Sequence, residues 1–218
     1  MDKNSHQYDF EAELGRYPLL KGFNHVPEFR VLVRQDGNLV GFLITYIEGD
    51  NLYNLLESCV VQREDELLRI TRGIIEIAVA LEERNLYHQD LKLQNIMIRQ
   101  SDGALLFIDF GAGITRGMVN PEREKKILFD GPEAVDALYT LGMTLWWLWN
   151  FDYRESWITV DFARTKNQLV RIIIDDCIQG RYGSVNELYS RHYTVSNGEA
   201  MVGAPPQIMN AEARSEAS

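Results

Sequence analysis

Hydrophobic positions along this chain follow two periods, and the change from one to the other marks out its elements. Between Asp65 and Arg84 the apolar residues Leu67, Ile70, Ile74, Ile77 and Leu81 fall three or four apart, which is one stripe of an amphipathic helix. Phe29 to Arg34 and Leu39 to Ile47 are instead rich in Val, Leu, Phe and Ile and are separated by Gln35-Asp36-Gly37-Asn38. An Asp-Gly pair between two apolar runs predicts a β-hairpin. Ile96-Met97-Ile98 and Ala104 to Ile108 flank Ser101-Asp102-Gly103 and predict a second one. Ala134 to Trp149 reads as a buried helix, and Leu169, Ile172, Ile173 and Cys177, then Val185, Leu188 and Tyr189, predict two more. At the N-terminal end Phe10, Leu14, Tyr17 and Leu20 suggest an amphipathic helix over Phe10 to Phe23, weakened by Gly15 and Pro18. Beyond Tyr193 the composition turns to Ser, Ala, Gly, Pro and Glu, and residues 194–218 are expected to be a disordered tail.

With 218 residues, 45% of them hydrophobic, the chain can bury the core of one domain. Its net charge of −10, from 32 acidic and 22 basic residues, disfavours non-specific binding to nucleic acid or anionic membrane. Cys59 and Cys177 lie far apart, without metal-ligand spacing, and read as reduced, half-buried thiols. The first seven residues hold no apolar signal core, and the apolar run near Ala137 to Trp149 is too short to span a bilayer. An intracellular address, cytoplasmic or nuclear, is the expectation.

The densest chemistry lies in Tyr87-His88-Gln89-Asp90-Leu91-Lys92-Leu93-Gln94-Asn95, followed fourteen residues after Asn95 by Asp109-Phe110-Gly111. Two carboxylates, an amide and a lysine are the set that phosphoryl transfer requires. One carboxylate orients a hydroxyl nucleophile, while another with an amide holds a divalent metal against the phosphates. Taken singly, Asp90 and Asp109 are ordinary turn carboxylates and His88 an ordinary core histidine. The predicted hairpin between Asn95 and Asp109 is what lets both reach one metal.

These segments resemble the H-R-D-L-x-x-x-N and D-F-G signatures of eukaryotic-type protein kinases, over roughly residues 10 to 190. The resemblance implies an α+β, protein-kinase-like fold with a truncated small β lobe and a mostly helical large lobe. Residues 1–47 would be the remnant of the small lobe, and 48–193 the large lobe. It also implies ATP and Mg²⁺ as cofactors, with Asp90 as the base that positions the hydroxyl and Lys92 neutralising the transferring phosphoryl group. Asn95 and Asp109 would be the metal ligands. Ile44 would stand beside the adenine pocket, Tyr46 and Ile47 would offer backbone groups to the adenine edge, and Asn51 would lie near the ribose. Glu13 is the best match to the family's helix glutamate, with no visible partner. A lysine two residues after the aspartate is the serine/threonine-type version of the loop.

Several positions depart from the pattern. Gln89 stands where the family has arginine, so activity is not expected to depend on phosphorylation of the activation segment. Glu122 is the better match than Glu133 for the glutamate closing that segment, and Asp136 is offset from the expected anchor position before Gly142. No G-x-G-x-x-G occurs, and Lys3 alone precedes the first helix, without a strand around it. The first three strands are thus read as missing, through truncation, a gene-model error or supply by another chain. Trp146, Trp147 and Trp149 read as core aromatics. The leading expectation is a serine/threonine-type protein kinase acting on a protein substrate. A pseudokinase or regulatory scaffold, and a small-molecule kinase of the aminoglycoside or choline type, remain as alternatives.

Overall fold

The computed structural model describes residues 13–111, 114–115, 133–151 and 165–193. The helix expected over Phe10 to Phe23 is shorter in its described part. Residues 13–16 are helical, and the chain then turns through residue 22. Pro18 has no N–H to continue the ladder and Gly15 weakens it. The segment is nonetheless anchored, with Tyr17, Leu20 and Phe23 buried.

Strands β1 (Phe29–Gln35) and β2 (Asn38–Ile44) pair antiparallel, with Gln35 opposite Asn38. That register leaves Asp36 and Gly37 as a two-residue loop, and their φ values of 51° and 81° match the type I′ turn the pair predicts. Phe29 and Phe42 pack with Tyr17, whose ring centroid lies 5.8 and 5.1 Å from theirs. Strand β2 ends at Ile44 rather than Ile47. Residues 45–48 form an irregular connector into β3 (Gly49–Asn51).

Helix α1 (Leu52–Glu57) starts on Asn51, whose side chain accepts the N–H of Asn54. Helix α2 (Glu64–Glu82) carries the stripe seen in the sequence: Ile70, Ile74, Ile77 and Leu81 are buried. Glu64, Asp65 and Glu66 sit at its positive end. Asn85, with φ of 56°, turns the chain out of the helix toward β4 (Leu86–Tyr87). A 3₁₀ turn, Leu93–Asn95, then leads into β5 (Ile96–Arg99), which pairs antiparallel with β6 (Leu105–Phe107). Strand β5 lies between β3 and β6, so the second predicted hairpin forms and gains a third strand. A two-residue strand, β7 (Ile114–Thr115), pairs antiparallel with β4.

Among the described residues three further helices follow: α3 (Glu133–Trp149), α4 (Gln168–Ile178) and α5 (Val185–Tyr193). Helix α3 crosses α4 closely at Gly142, where a Cβ would come within 2.7 Å of Cys177 Cβ. One continuous core joins α2, the β5–β6 hairpin, α3 and α4 through residues such as Ile74, Phe107, Leu141 and Ile174. Trp146 is buried, Trp147 packs on the core, and the Trp149 indole donates to Thr71 Oγ1 at 2.7 Å. Trp146, Trp147 and Trp149 are core aromatics, as expected. Of the two thiols, Cys59 is exposed and Cys177 buried, so neither is half-buried. No helix among the described residues is long and apolar enough to cross a membrane.

Candidate active site

The site grows from the loop between β4 and β5. His88 is buried against Phe107 and Phe110, with ring centroids 5.8 and 4.5 Å away, and its Nε2 donates to the Ile108 carbonyl at 2.9 Å. Histidine therefore straps this loop to the residue before Asp109. Burial, first of all, holds its pKa below the ordinary imidazole value.

Asn95, only 5% exposed, joins the two acid-bearing segments. Its Nδ2 donates to the Asp90 carbonyl at 2.9 Å and to the Asp90 carboxylate at 3.2 Å. Its backbone carbonyl accepts the N–H of Ile108 at 3.0 Å, one residue before Asp109. Using both amide hydrogens on Asp90 fixes the orientation of the Asn95 side chain and leaves Oδ1 with no hydrogen bond among the described residues. That amide oxygen and the Asp109 carboxylate, on the loop that Asn95 holds through Ile108, are hard oxygen donors of the kind Mg²⁺ takes. Lys92 Nζ pairs with Asp90 at 2.6 Å, both side chains nearly half exposed. Helix α3 braces the same loop through Thr144, whose buried hydroxyl donates to the Leu91 carbonyl at 2.6 Å.

Asp109 is exposed and takes the left-handed conformation, φ 62°, as does Gln89 at 63°. For residues other than glycine that is a costly backbone state, held only where the surroundings impose it. The next residues supply part of that restraint. Glu13 accepts the Phe110 N–H at 3.4 Å, and Arg16 Nη1 donates to the carbonyls of Phe110 and Gly111 at 2.7 and 2.8 Å. Burial and the neighbouring Asp109 charge raise the Glu13 pKa. Glu13 thus does have a partner, the backbone of the Asp109-Phe110-Gly111 loop.

The residues expected around a nucleotide base lie along the strand-end connector. Ile44 closes β2 and is 36% exposed, and Tyr46 is 86% exposed. The backbone groups of Tyr46 and Ile47 make no hydrogen bond among the described residues, whereas the flanking Thr45 N–H bonds to Glu28 and the Glu48 carbonyl accepts from Gln100. Asn51 spends its Oδ1 on the N-terminus of α1. Lys3, Pro121, Glu122 and the side chain of Asp136 fall outside the described residues, as does the expected tail.

Arg16 and Thr144 were not legible as site residues. The single hint for Arg16 was its place three residues after Glu13, on the same helical face. Thr144 had none, because a hydroxyl bonded to a distant backbone carbonyl leaves no spacing pattern.

Residues 2–138 match the family model described as Protein kinase domain. A probable serine/threonine-protein kinase of Bacillus subtilis (strain 168), YbdM, is 30% identical over 156 residues, 70% of this chain and 56% of that protein. Serine/threonine-protein kinase STE11 of Saccharomyces cerevisiae is 25% identical over 154 residues, 67% of this chain and 21% of that protein. Mitogen-activated protein kinase kinase kinase 8 of Rattus norvegicus is 27% identical over 120 residues, 50% of this chain and 25% of that protein. The chain therefore spans little more than half of the first of these relatives and a quarter or less of the others.

Proposed function

Since this chain belongs to the protein kinase domain family, we propose that it transfers the γ-phosphate of ATP to a serine or threonine hydroxyl of a protein. The observation that carries this reading is the double attachment of Asn95. Its side chain holds Asp90 and its backbone holds Ile108, so base, amide and metal-loop acid are referred to one rigid residue.

In this reading Asp90 accepts the hydrogen bond of the acceptor hydroxyl and aligns it for in-line attack. Lys92, now paired with Asp90, swings its ammonium to the transferring phosphoryl oxygens. Asn95 Oδ1 and the Asp109 carboxylate would hold Mg²⁺, which would supply positive charge to neutralise the phosphates. The free backbone groups of Tyr46 and Ile47 meet the adenine edge beside Ile44. Asn51 keeps its Nδ2 for the ribose. Glu13 belongs to the nucleotide site through the metal loop it touches. The lysine at position 92 supports serine or threonine over tyrosine as the acceptor.

The test is phosphate transfer from γ-labelled ATP by the purified chain, with the labelled amino acid identified by hydrolysis. Label on serine or threonine, abolished by Asp90→Asn, is the expected result. Label on tyrosine would refute the specificity. Nucleotide binding without any transfer would leave a regulatory scaffold.

A further inference from the structure

We propose that Arg16 is a positioning residue for the metal loop: its guanidinium clamps the Phe110 and Gly111 carbonyls and so holds Asp109 in its metal-binding conformation. This rests on the reading of Asp109 as a metal ligand. Asp109 occupies the left-handed region at φ 62°, which an aspartate adopts at a modest cost, and its neighbours are held on both sides. On the preceding side Ile108 is held twice, its carbonyl by His88 and its N–H by Asn95. On the following side the only side chains from outside the loop bonded to its backbone, among the described residues, are Glu13 and Arg16.

Of these two the arginine dominates. Its bonds of 2.7 and 2.8 Å are charge-assisted and short, while the Glu13 bond is 3.4 Å. Arg16 also offsets a part of the repulsion between Glu13 and Asp109, although burial and the Asp109 charge still leave the Glu13 pKa raised. Phe110 is 1% exposed and packs at a tilt against the His88 ring, and the Gly111 N–H donates to Asp109 Oδ1 at 3.4 Å, so a loop held at Phe110 and Gly111 holds the Asp109 carboxylate with it. Arginine reaches both carbonyls from one nitrogen, a geometry that lysine reproduces in part and glutamine does not.

The test uses the full chain in two measurements. In the metal-free protein, hydrogen exchange at Phe110 and Gly111 should rise about tenfold in Arg16→Gln and less in Arg16→Lys. The Mg²⁺ concentration that half-saturates binding of a fluorescent ATP analogue should rise about 10–100-fold in Arg16→Gln, the cost usual for a residue supporting a metal ligand. Arg16→Lys should fall between Arg16→Gln and the unmodified chain. Unchanged exchange would overturn the clamp, as would faster exchange with an unchanged Mg²⁺ requirement. Asp109→Asn separates the two levels. If it loses Mg²⁺-dependent binding while Arg16→Gln keeps it, only the clamp fails; if Asp109→Asn binds like the unmodified chain, the metal reading fails and the clamp's role with it.

Discussion

His88 carries its proton on Nε2, because that nitrogen faces a carbonyl oxygen. Its Nδ1 is buried without a hydrogen-bond partner among the described residues. A second proton would therefore create a buried N–H with nothing to accept it, which is why burial pushes this pKa down from 6.5. The sign follows from linkage. Below about pH 6.5 the unfolded chain binds a proton that the folded chain refuses, so stability is full above that pH and falls as pH declines through it. Urea unfolding at pH 7.5 and 5.5 should show this loss, and His88→Phe should show less of it; an equal loss in both would show that His88 is not its source. Lys92 makes a different demand. Its exposed pair with Asp90 is worth no more than about 1 kcal/mol, so Lys92→Met should leave urea stability nearly unchanged. Transfer should nonetheless fall by about 10²–10³, as when a preorganised charge is removed from a transition state. Equal transfer by both proteins would remove Lys92 from the mechanism.

At the level of elements, the crossing of α3 and α4 is the least forgiving contact. A methyl at Gly142 meets Cys177 Cβ, Ile178 Cγ1 and the Ile174 carbonyl at 2.7, 3.0 and 3.3 Å, and neither a Cβ nor a backbone oxygen can swing aside. Gly142→Ala should cost about 1–3 kcal/mol by forcing the helices apart, measured by chemical unfolding. No loss would mean that the helices do not cross as closely as described. Elements whose cause is local were legible beforehand. The stripe Ile70, Ile74, Ile77 and Leu81 states helix α2, and Asp36-Gly37 states its turn, since nothing but φ is needed to form it. Elements that depend on more than apolar spacing were less so: the first helix yields to Pro18, and β2 stops at Ile44, opposite Phe29 where its partner β1 begins. The same division runs through the site. Asp90, Asn95 and Asp109 stand out in the sequence as candidates because their chemistry and spacing are written in side chains. Arg16 acts on carbonyls 94 and 95 residues away, and no sequence pattern names a backbone carbonyl.

For the molecule as a whole, the α+β arrangement hangs two acid-bearing loops from one core, with the hairpin β5–β6 returning the chain from Asn95 to Asp109. Gln89 replaces the arginine that would otherwise answer a phosphorylated segment. Phosphatase treatment of the purified chain should therefore leave its transfer rate within about twofold, and a loss of tenfold or more would show that another cation reads the phosphate. In the proposed mechanism Asp90, Asn95 and Asp109 serve one Mg-nucleotide in divided roles. Calorimetric titration of ATP with and without Mg²⁺, on the unmodified chain, Asp90→Asn and Asp109→Asn, tests it most directly. Binding should depend on Mg²⁺, survive in Asp90→Asn and be lost in Asp109→Asn. Binding that is indifferent to Mg²⁺, or alike in all three proteins, would contradict it.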